Sequence, residues 1–159
     1  MTFSNDTIIL QELTLDNAPH FYEIYKQRKL MANFEEETFY ASETEEDFTK
    51  RIMSVCNFAF TIRLKEKPDE IIGDCELHHC NKAKGEIEIG GSLLPGYQGH
   101  GLMEQAFLLL MDFARQEMDM HTIIVKTNVL NEHALSLARK MDFSVSENTG
   151  KQIILKKEI

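Results

Sequence analysis

Two glycines separated by one histidine, Gly99 and Gly101, lie where a strand pattern gives way to the most apolar helix pattern of the chain. The first N–H groups of a helix lack intrahelical partners, and the helix dipole adds partial positive charge there. Because glycine has no Cβ to hold a phosphate away, amides in such a loop can bind an anion without a basic side chain. The segment from Tyr97 to Gly101 is therefore predicted to bind an anion such as a phosphate group. A plain turn explains these residues alone equally well.

A group of metal-ligating residue types precedes this loop and comprises Cys75, His78, His79 and Cys80. Strand alternation directs Cys75 and His79 to one face of the sheet and His78 and Cys80 to the other. Ligands on opposite faces cannot converge on one ion, and no second pair of ligands stands elsewhere in the chain. No metal site is therefore expected.

The elements that must position these residues follow from hydrophobic spacing. Helical spacing predicts a helix capped by Asp16, a second opened by a capping box at 42–45, a buried one over 99–118, and a fourth capped by Asn131. Alternating or β-rich runs predict strands at 8–13, 58–64, 71–78, 86–94, 123–126, 143–145 and 153–155. This order indicates an α+β fold, with a mixed, mostly antiparallel central sheet of six to seven strands flanked by about four helices.

Length and composition limit the remaining possibilities. The 159 residues contain no linker rich in Gly, Ser or Pro, so residues 1–159 are expected to form a single domain. A net charge of -9 argues against nucleic-acid binding, and the longest apolar stretch, Ala106 to Ala114, is too short to span a bilayer. Three cysteines are too few for a disulfide scaffold and the N-terminus lacks a signal peptide, so a cytoplasmic protein is expected.

Two segments carry a resemblance to a known family. The run GEIEIGGSLLPGYQGHGLMEQA resembles the cofactor signature of the GNAT superfamily of acyl-CoA-dependent N-acetyltransferases, and NVLNEHALSLARKMDF resembles its second cofactor segment. The order of predicted elements agrees along nearly the whole chain. The resemblance implies acetyl-CoA as co-substrate and assigns its binding to Leu93, Leu94, Gln98, Gly99, His100, Gly101, Leu102, Met103 and Asn131.

The same resemblance implies a role for each part of the site. The backbone of Leu93 and Leu94 would pair with the pantetheine arm, and an N–H there, assigned to Leu93, would stabilise the thioester oxyanion. The segment from Gln98 to Leu102 would line the pyrophosphate. Asn131 would reach the pantetheine or acetyl end, although Asn is also among the best helix N-caps.

Three positions depart from the family pattern. Met103 stands where a Gly or Ala is usual, so its side chain either enters the core or narrows the site. Asp142 replaces a glycine after the second cofactor helix, which is tolerable because Asp visits the left-handed region more readily than most residues. Ala138 stands where many relatives have a tyrosine that protonates the leaving thiolate, and Tyr97, Ser136 and Ser92 are the candidate substitutes.

The chemistry implied is transfer of an acetyl group to an amine by direct attack on the thioester. A protonated amine cannot attack, so a base must take its proton, and Glu88 resembles the strand glutamate that precedes the cofactor site in related sequences. Four further residues are expected to bind the acceptor: Glu35, Glu36, Glu76 and His78.

The acceptor amine stays open between a polyamine, a peptide N-terminus and a small amine. Charges of the kind assigned to it occur more often in solvated loops and on solvated strand faces than in acceptor sites. A catalytically weak or inactive sensor that binds acyl-CoA is the competing class of function, and Met103 and Ala138 favour it. A homodimer is compatible with the resemblance, whereas membrane and nucleic-acid partners are not expected.

Overall fold

The computed structural model describes residues 1–30, 40 and 42–159. Four α-helices lie in these residues: α1 (Ala18–Leu30), α2 (Glu45–Val55), α3 (Leu102–Met118) and α4 (Glu132–Lys140). The strands are β1 (Thr2–Ser4), β2 (Ile8–Glu12), β3 (Cys56–Leu64), β4 (Lys67–Asn81), β5 (Glu86–Leu93), β6 (Thr122–Asn128), β7 (Ser144–Asn148) and β8 (Gln152–Glu158). The α+β fold and its four helices agree with the sequence prediction.

All eight strands join one sheet in the order β1-β2-β3-β4-β5-β6-β8-β7. The predicted six to seven strands omit β1, which has only three residues and turns back onto β2 around Asn5. The Asn5 side chain accepts from the N–H groups of Thr7 and Ile8 and so closes that turn. Three residues are too few to show an alternation, which is why hydrophobic spacing cannot identify this strand.

Strands β5 and β6 are the one parallel pair in the sheet, and α3 makes the crossover between them. Strand β5 stays paired with β4 up to Leu93, opposite Gly73. Its pairing with β6 covers only Glu86 to Glu88, opposite Thr122 to Ile124. From Ile89 to Leu93, therefore, the far edge of β5 has no neighbouring strand in the described chain.

The two faces of the sheet are covered by different helices. Phe58 and Phe60 of β3 pack on Phe113 of α3, so the main core lies between the sheet and α3. On the opposite face, Tyr25 of α1 and Phe48 of α2 form a smaller apolar cluster with Leu13 and Phe21. Residues of β4 and β5 consequently alternate between the side of α3 and the side of α1 and α2.

The helix ends correct three sequence predictions. Helix α2 is capped by Thr44, whose hydroxyl accepts from the Asp47 N–H, and not by Ser42. A 3₁₀ turn with Thr14 as its N-cap leads into α1, so Asp16 is not the cap. Helix α3 begins at Leu102 and not at Gly99, because the backbone angle φ of Gly101 is 74° and therefore not helical.

Replacing Phe48 with Ala should lower the free energy of unfolding by about 3–5 kcal/mol. Its ring is fully buried and packs on Phe21, Tyr22 and Tyr25 at centroid distances of 5.8, 5.3 and 5.1 Å. Urea denaturation measures the loss. Leu130→Ala, at a side chain that is 73% exposed, is the control and should cost less than about 0.5 kcal/mol. A loss for Phe48→Ala as small as the control's would contradict the packing described.

Candidate functional site

The loop after β5 is held in an open conformation. Pro95–Tyr97 forms a 3₁₀ turn, and the Gln98 side chain reaches back to donate to the Leu93 carbonyl at 3.1 Å. Gly99 and Gly101 have φ values of 78° and 74°, in the left-handed region that favours glycine. A Cβ built on either glycine meets nothing within 4 Å, so neither glycine is there to make room for protein packing.

The N-terminus of α3 opens directly from this loop. Gly101 is its N-cap and offers no side chain, and the first helical bond runs from the Gln105 N–H to the Gly101 carbonyl. Among the described residues, no protein group accepts from the N–H groups of Leu102, Met103 and Glu104. Lys140 lies 2.6 Å from the Glu104 carboxylate and offsets its charge. The helix end therefore presents free donors to an anion.

The open edge of β5 corrects the role predicted for Leu94. The Leu94 N–H donates to the Ile72 carbonyl at 2.8 Å, so it is not available to a pantetheine arm. In an antiparallel ladder successive residues direct their backbone groups to opposite edges, so the Leu93 N–H points away from β4 and into the opening between β5 and β6. The Leu93 carbonyl is occupied by Gln98. Leu93 thus offers one backbone donor at the mouth of the opening.

Met103 lies against the sheet at this same place. Its methyl group is 3.1 Å from where a Cβ on Gly91 would lie, and the side chain packs on the main core while staying partly exposed. The side chain is therefore directed toward β5 and not into solvent. The absence of a side chain at Gly91 is what leaves room for the Met103 thioether.

A row of polar side chains lines the opposite face of β4 and β5, on the side of α1 and α2. Asp74 is buried and accepts from the Tyr25 hydroxyl at 2.7 Å. Glu76 and His78 follow along β4, and both lie over Gly90, with Oε1 and Nε2 at 2.5 and 3.5 Å from a Cβ built there. Glu88 stands opposite His78 in the register. Three carboxylates and one imidazole thus share this surface.

Glu88 occupies a particular point in the sheet. It is the last residue of β5 that pairs with β6, so the opening between these strands begins immediately after it. Its side chain is 18% exposed, and its Oε2 lies 3.4 Å from Nδ1 of His78. Burial lowers the pKa of His78, which outweighs the opposite effect of the Glu88 charge. The imidazole is therefore a neutral hydrogen-bonding group near pH 7.

A bulge in β4 overturns the argument that separated the two histidines. His78 is opposite Glu88 and Asn81 is opposite Glu86, so β4 holds one extra residue between them. His79 takes a φ of 51°, and its Nδ1 comes to 3.6 Å from Oε2 of Glu88 and 2.6 Å from Nδ1 of His78. Strand alternation predicts opposite faces for these side chains, and the bulge instead brings them together.

Other predicted residues have internal partners. The Asn131 side chain caps α4 by accepting from the Ala134 N–H, and its amide donates to Thr127, so its predicted contact with the cofactor stays a prediction. Ala138 is buried and carries no acid. The Tyr97 hydroxyl donates to Glu70 at 2.6 Å, and this bond raises the pKa of Tyr97.

Several predictions meet no structural test or only part of one. Glu35 and Glu36 lie outside the described residues. His100 is exposed beside the glycines, and its contact with the cofactor stays a prediction. None of the described helices has the length and apolar character needed to span a bilayer. The left-handed conformation expected of Asp142 is confirmed, with a φ of 64°.

Comparison with known proteins decides the family. The family described as "Acetyltransferase (GNAT) domain" matches residues 7–144, which is most of the chain. The chain belongs to the GNAT acetyltransferase family. It is accordingly an N-acetyltransferase that uses acetyl-CoA as co-substrate. No curated protein gives a significant match by sequence.

Solved structures of GNAT proteins share the fold at low sequence identity. The ribosomal-protein-S5-alanine acetyltransferase from Vibrio fischeri has a TM-score of 0.81 at 18% identity, covering 99% of this chain and 96% of its own. RimL, a ribosomal L7/L12 α-N-protein acetyltransferase in complex with coenzyme A, has a TM-score of 0.82 at 16% identity, covering 100% and 98%. The microcin C7 self-immunity acetyltransferase MccE, in complex with acetyl-CoA and AMP, has 0.78 at 20%, covering 98% and 94%.

Two residues of the site, Asp74 and Tyr25, do not follow from hydrophobic spacing. Asp74 and Tyr25 are 49 residues apart and bond through the packing of α1 on the sheet. An acidic residue inside an apolar strand pattern, next to Cys75, was the available signal for Asp74. His79 lies on the same face as His78, contrary to strand alternation, and no local signal in the sequence marks the bulge.

Gly101→Glu should abolish most of the rise in melting temperature that acetyl-CoA produces. A ligand at about 100 times its Kd stabilises the folded state by roughly 2.7 kcal/mol, and a carboxylate at the helix N-terminus repels the pyrophosphate. Gly150→Glu is the matched control, since Gly150 also has a positive φ, 86°, and open space around it, in the turn between β7 and β8. Equal shifts in both variants would exclude the loop as the phosphate site.

Proposed function

We propose that this GNAT protein transfers the acetyl group of acetyl-CoA to a primary amine by direct attack on the thioester. The observation that carries the proposal is the juxtaposition of two features. The loop at Gly99 and Gly101 offers free donors to an anion, and the unpaired edge of β5 starts immediately after Glu88 and runs toward that loop. A pyrophosphate in the loop would send the pantetheine arm along this edge, with its thioester toward Glu88.

Backbone donors support the acyl part of the reaction. Attack of the amine nitrogen on the thioester carbon forms a tetrahedral centre and leaves negative charge on the former carbonyl oxygen. An N–H group fixed in a strand can stabilise that charge without reorganising, which is the usual basis of an oxyanion site. The N–H of Leu93 is the predicted donor, because it points into the opening between the strands, and the N–H of Gly91 points the same way two residues nearer Glu88.

Glu88 is the proposed general base. A lysine-like amine has a pKa near ~10.4, so its ammonium form must lose a proton before attack. The Glu88 carboxylate is partly exposed at the start of the opening and has His78 beside it. Glu88 takes the proton directly or through a water molecule, and Glu76 supplies a second carboxylate on the same surface for a cationic acceptor.

Direct attack is favoured over an acyl-enzyme intermediate by the state of the cysteines. Burial raises the pKa of the Cys56 thiol to about 12 and raises that of Cys75 as well. Cys80 is partly buried, and its sulfur lies 3.9 Å from that of Met120 in the core. A thiolate is the nucleophilic form of cysteine, so the two thiols with raised pKa are poor acyl acceptors.

The leaving group needs little help in this mechanism. The CoA thiol has a pKa of roughly 8.5, as for an ordinary thiol, so its thiolate can depart near neutral pH. Position 138, where many relatives have the tyrosine acid, holds a buried Ala138. The Tyr97 hydroxyl is bonded to Glu70. No tyrosine is therefore assigned as the acid that protonates the thiolate. We therefore expect departure of the thiolate itself, followed by protonation from solvent.

A peptide N-terminus is the acceptor class we place first. Two structural neighbours are named for acetylation of ribosomal proteins, S5 at an alanine and L7/L12 at its α-amine. An α-amino group has a pKa of about 7.7–8.0, so a carboxylate base suffices to remove its proton near pH 7. Polyamines and other small amines are the alternatives and belong in the same assay.

An acyl-CoA-binding sensor is the second candidate function. It is favoured by Met103, whose side chain covers the surface at Gly91, and by Ala138, which supplies no acid. The two functions differ in one measurable respect, since a sensor binds acetyl-CoA without releasing free thiol. A thiol-release assay over N-terminal peptides, spermidine and aminoglycosides separates them.

Glu88→Gln should reduce kcat by about 10²- to 10⁴-fold, the usual contribution of a general base, while the Kd for acetyl-CoA stays unchanged. Glu86→Gln is the matched control, two residues earlier on the same face of β5, where the carboxylate pairs with Lys156 at 3.0 Å. The control should keep kcat within about threefold of the wild type. Steady-state kinetics and calorimetric titration measure the two quantities. A kcat for Glu88→Gln equal to the control's would remove Glu88 as the base.

A further inference from the structure

The bulge in β4 assembles three metal-ligating atoms from residues that strand alternation separates. Nδ1 of His78, Nδ1 of His79 and Oε2 of Glu88 all lie within 4.8 Å of one another. Their separations are 2.6 Å between the two nitrogens, and 3.4 and 3.6 Å from the carboxylate oxygen to His78 and His79. Two imidazoles and one carboxylate form a ligand set that suits zinc.

We propose that His78, His79 and Glu88 bind a Zn²⁺ ion, which blocks the general base and so inhibits acetyl transfer. The inhibitory part rests on the proposed function of Glu88, whereas the binding part does not. Zinc bound here would be regulatory, because it would occupy the general base Glu88 and leave the cofactor loop and the edge of β5 unoccupied.

The two separations from the Glu88 oxygen suit one tetrahedral ion, whereas the two nitrogens at 2.6 Å would have to move apart toward roughly 3.3 Å, which rotation of the exposed His79 ring allows. A single point lies about 2.1 Å from all three ligand atoms, slightly outside the plane that they define, and protein ligands bind zinc at roughly 2.0–2.2 Å. The ion would therefore lie against one side of the three atoms and keep its fourth position for water. His79 is 72% exposed, so solvent and metal can reach that side.

The backbone conformation of His79 supports the proposed metal site. A φ of 51° is uncommon for a residue with a side chain, and such conformations concentrate at ligand sites and turns. The extra residue of the bulge is what turns His79 back toward Glu88. Without it, regular alternation would direct His79 to the α3 face and leave only two ligands here.

The surroundings of the two imidazoles also favour a cation. The Nδ1 atoms of His78 and His79 face each other, so a cation bound beside them can contact both. The Glu76 carboxylate and Nε2 of His78 both lie beside Gly90, so Glu76 adds negative charge to the same surface as the three ligand atoms.

Zinc binding can be measured on the whole chain by competition with a chromophoric chelator. We expect one Zn²⁺ per wild-type chain, and His79→Asn and Glu88→Gln should each weaken binding by about tenfold or more. Asparagine is chosen at position 79 because it tolerates a positive φ. His133→Asn, which changes an exposed histidine of α4, is the matched control and should bind like the wild type.

Two controls keep a negative result interpretable. The stabilisation by acetyl-CoA should be the same in His79→Asn and wild type, which shows that the variant is folded and that the cofactor site is intact. No zinc binding by the wild type, or equal binding by wild type, His79→Asn and Glu88→Gln, would overturn the proposed site. The binding result stands whether or not Glu88 proves to be the base.

Activity then tests the inhibitory part separately. If Glu88 is the base, Zn²⁺ should suppress thiol release by the wild type and a chelator should restore it. His79→Asn should need about tenfold more Zn²⁺ for the same suppression. Zinc that binds at the three residues without lowering turnover would overturn inhibition while leaving the site, and it would also count against Glu88 as the base.

Discussion

Strand β5 keeps β4 as a neighbour along its whole length but loses β6 after Glu88. Backbone N–H and C=O groups on an unpaired strand edge need partners, and a sheet interior normally supplies them. Here β6 continues, paired with β8 alone. The gap is therefore part of the sheet and does not depend on a movable loop. The site follows from this gap, because it exposes fixed amides next to a carboxylate.

The loop after β5 and the N-terminus of α3 lie at the far end of the gap between β5 and β6. A chain of net charge -9 cannot attract a pyrophosphate by its overall field, so local donors must supply the affinity. The free N–H groups at the start of α3 and the left-handed Gly99 and Gly101 are the donors that we propose for this role, while Lys140 offsets the one acidic side chain in the first turn. In the proposed function, binding and catalysis would rest mainly on backbone geometry, with the side-chain contribution concentrated at Glu88.

Features set by local pattern could be predicted from the sequence. The alternation from Glu86 to Ile89 identified β5, and the apolar surface of residues 102–118 identified α3, because burial imposes both periods. Features that depend on contacts between residues far apart in the sequence could not be predicted from it. The bulge at His79 depends on the register with β5, the Leu94 N–H is taken by Ile72, and the direction of Met103 follows from the empty space at Gly91.

Backbone amide exchange of β5, resolved by residue with and without CoA, shows directly whether the gap between β5 and β6 holds the cofactor. The N–H groups of Gly91 and Leu93 point into the gap, so CoA should slow their exchange by about tenfold or more. The Leu94 N–H already donates to Ile72 and should change little. Saturating CoA that leaves Gly91 and Leu93 unprotected would contradict the claim that the gap between β5 and β6 holds the cofactor.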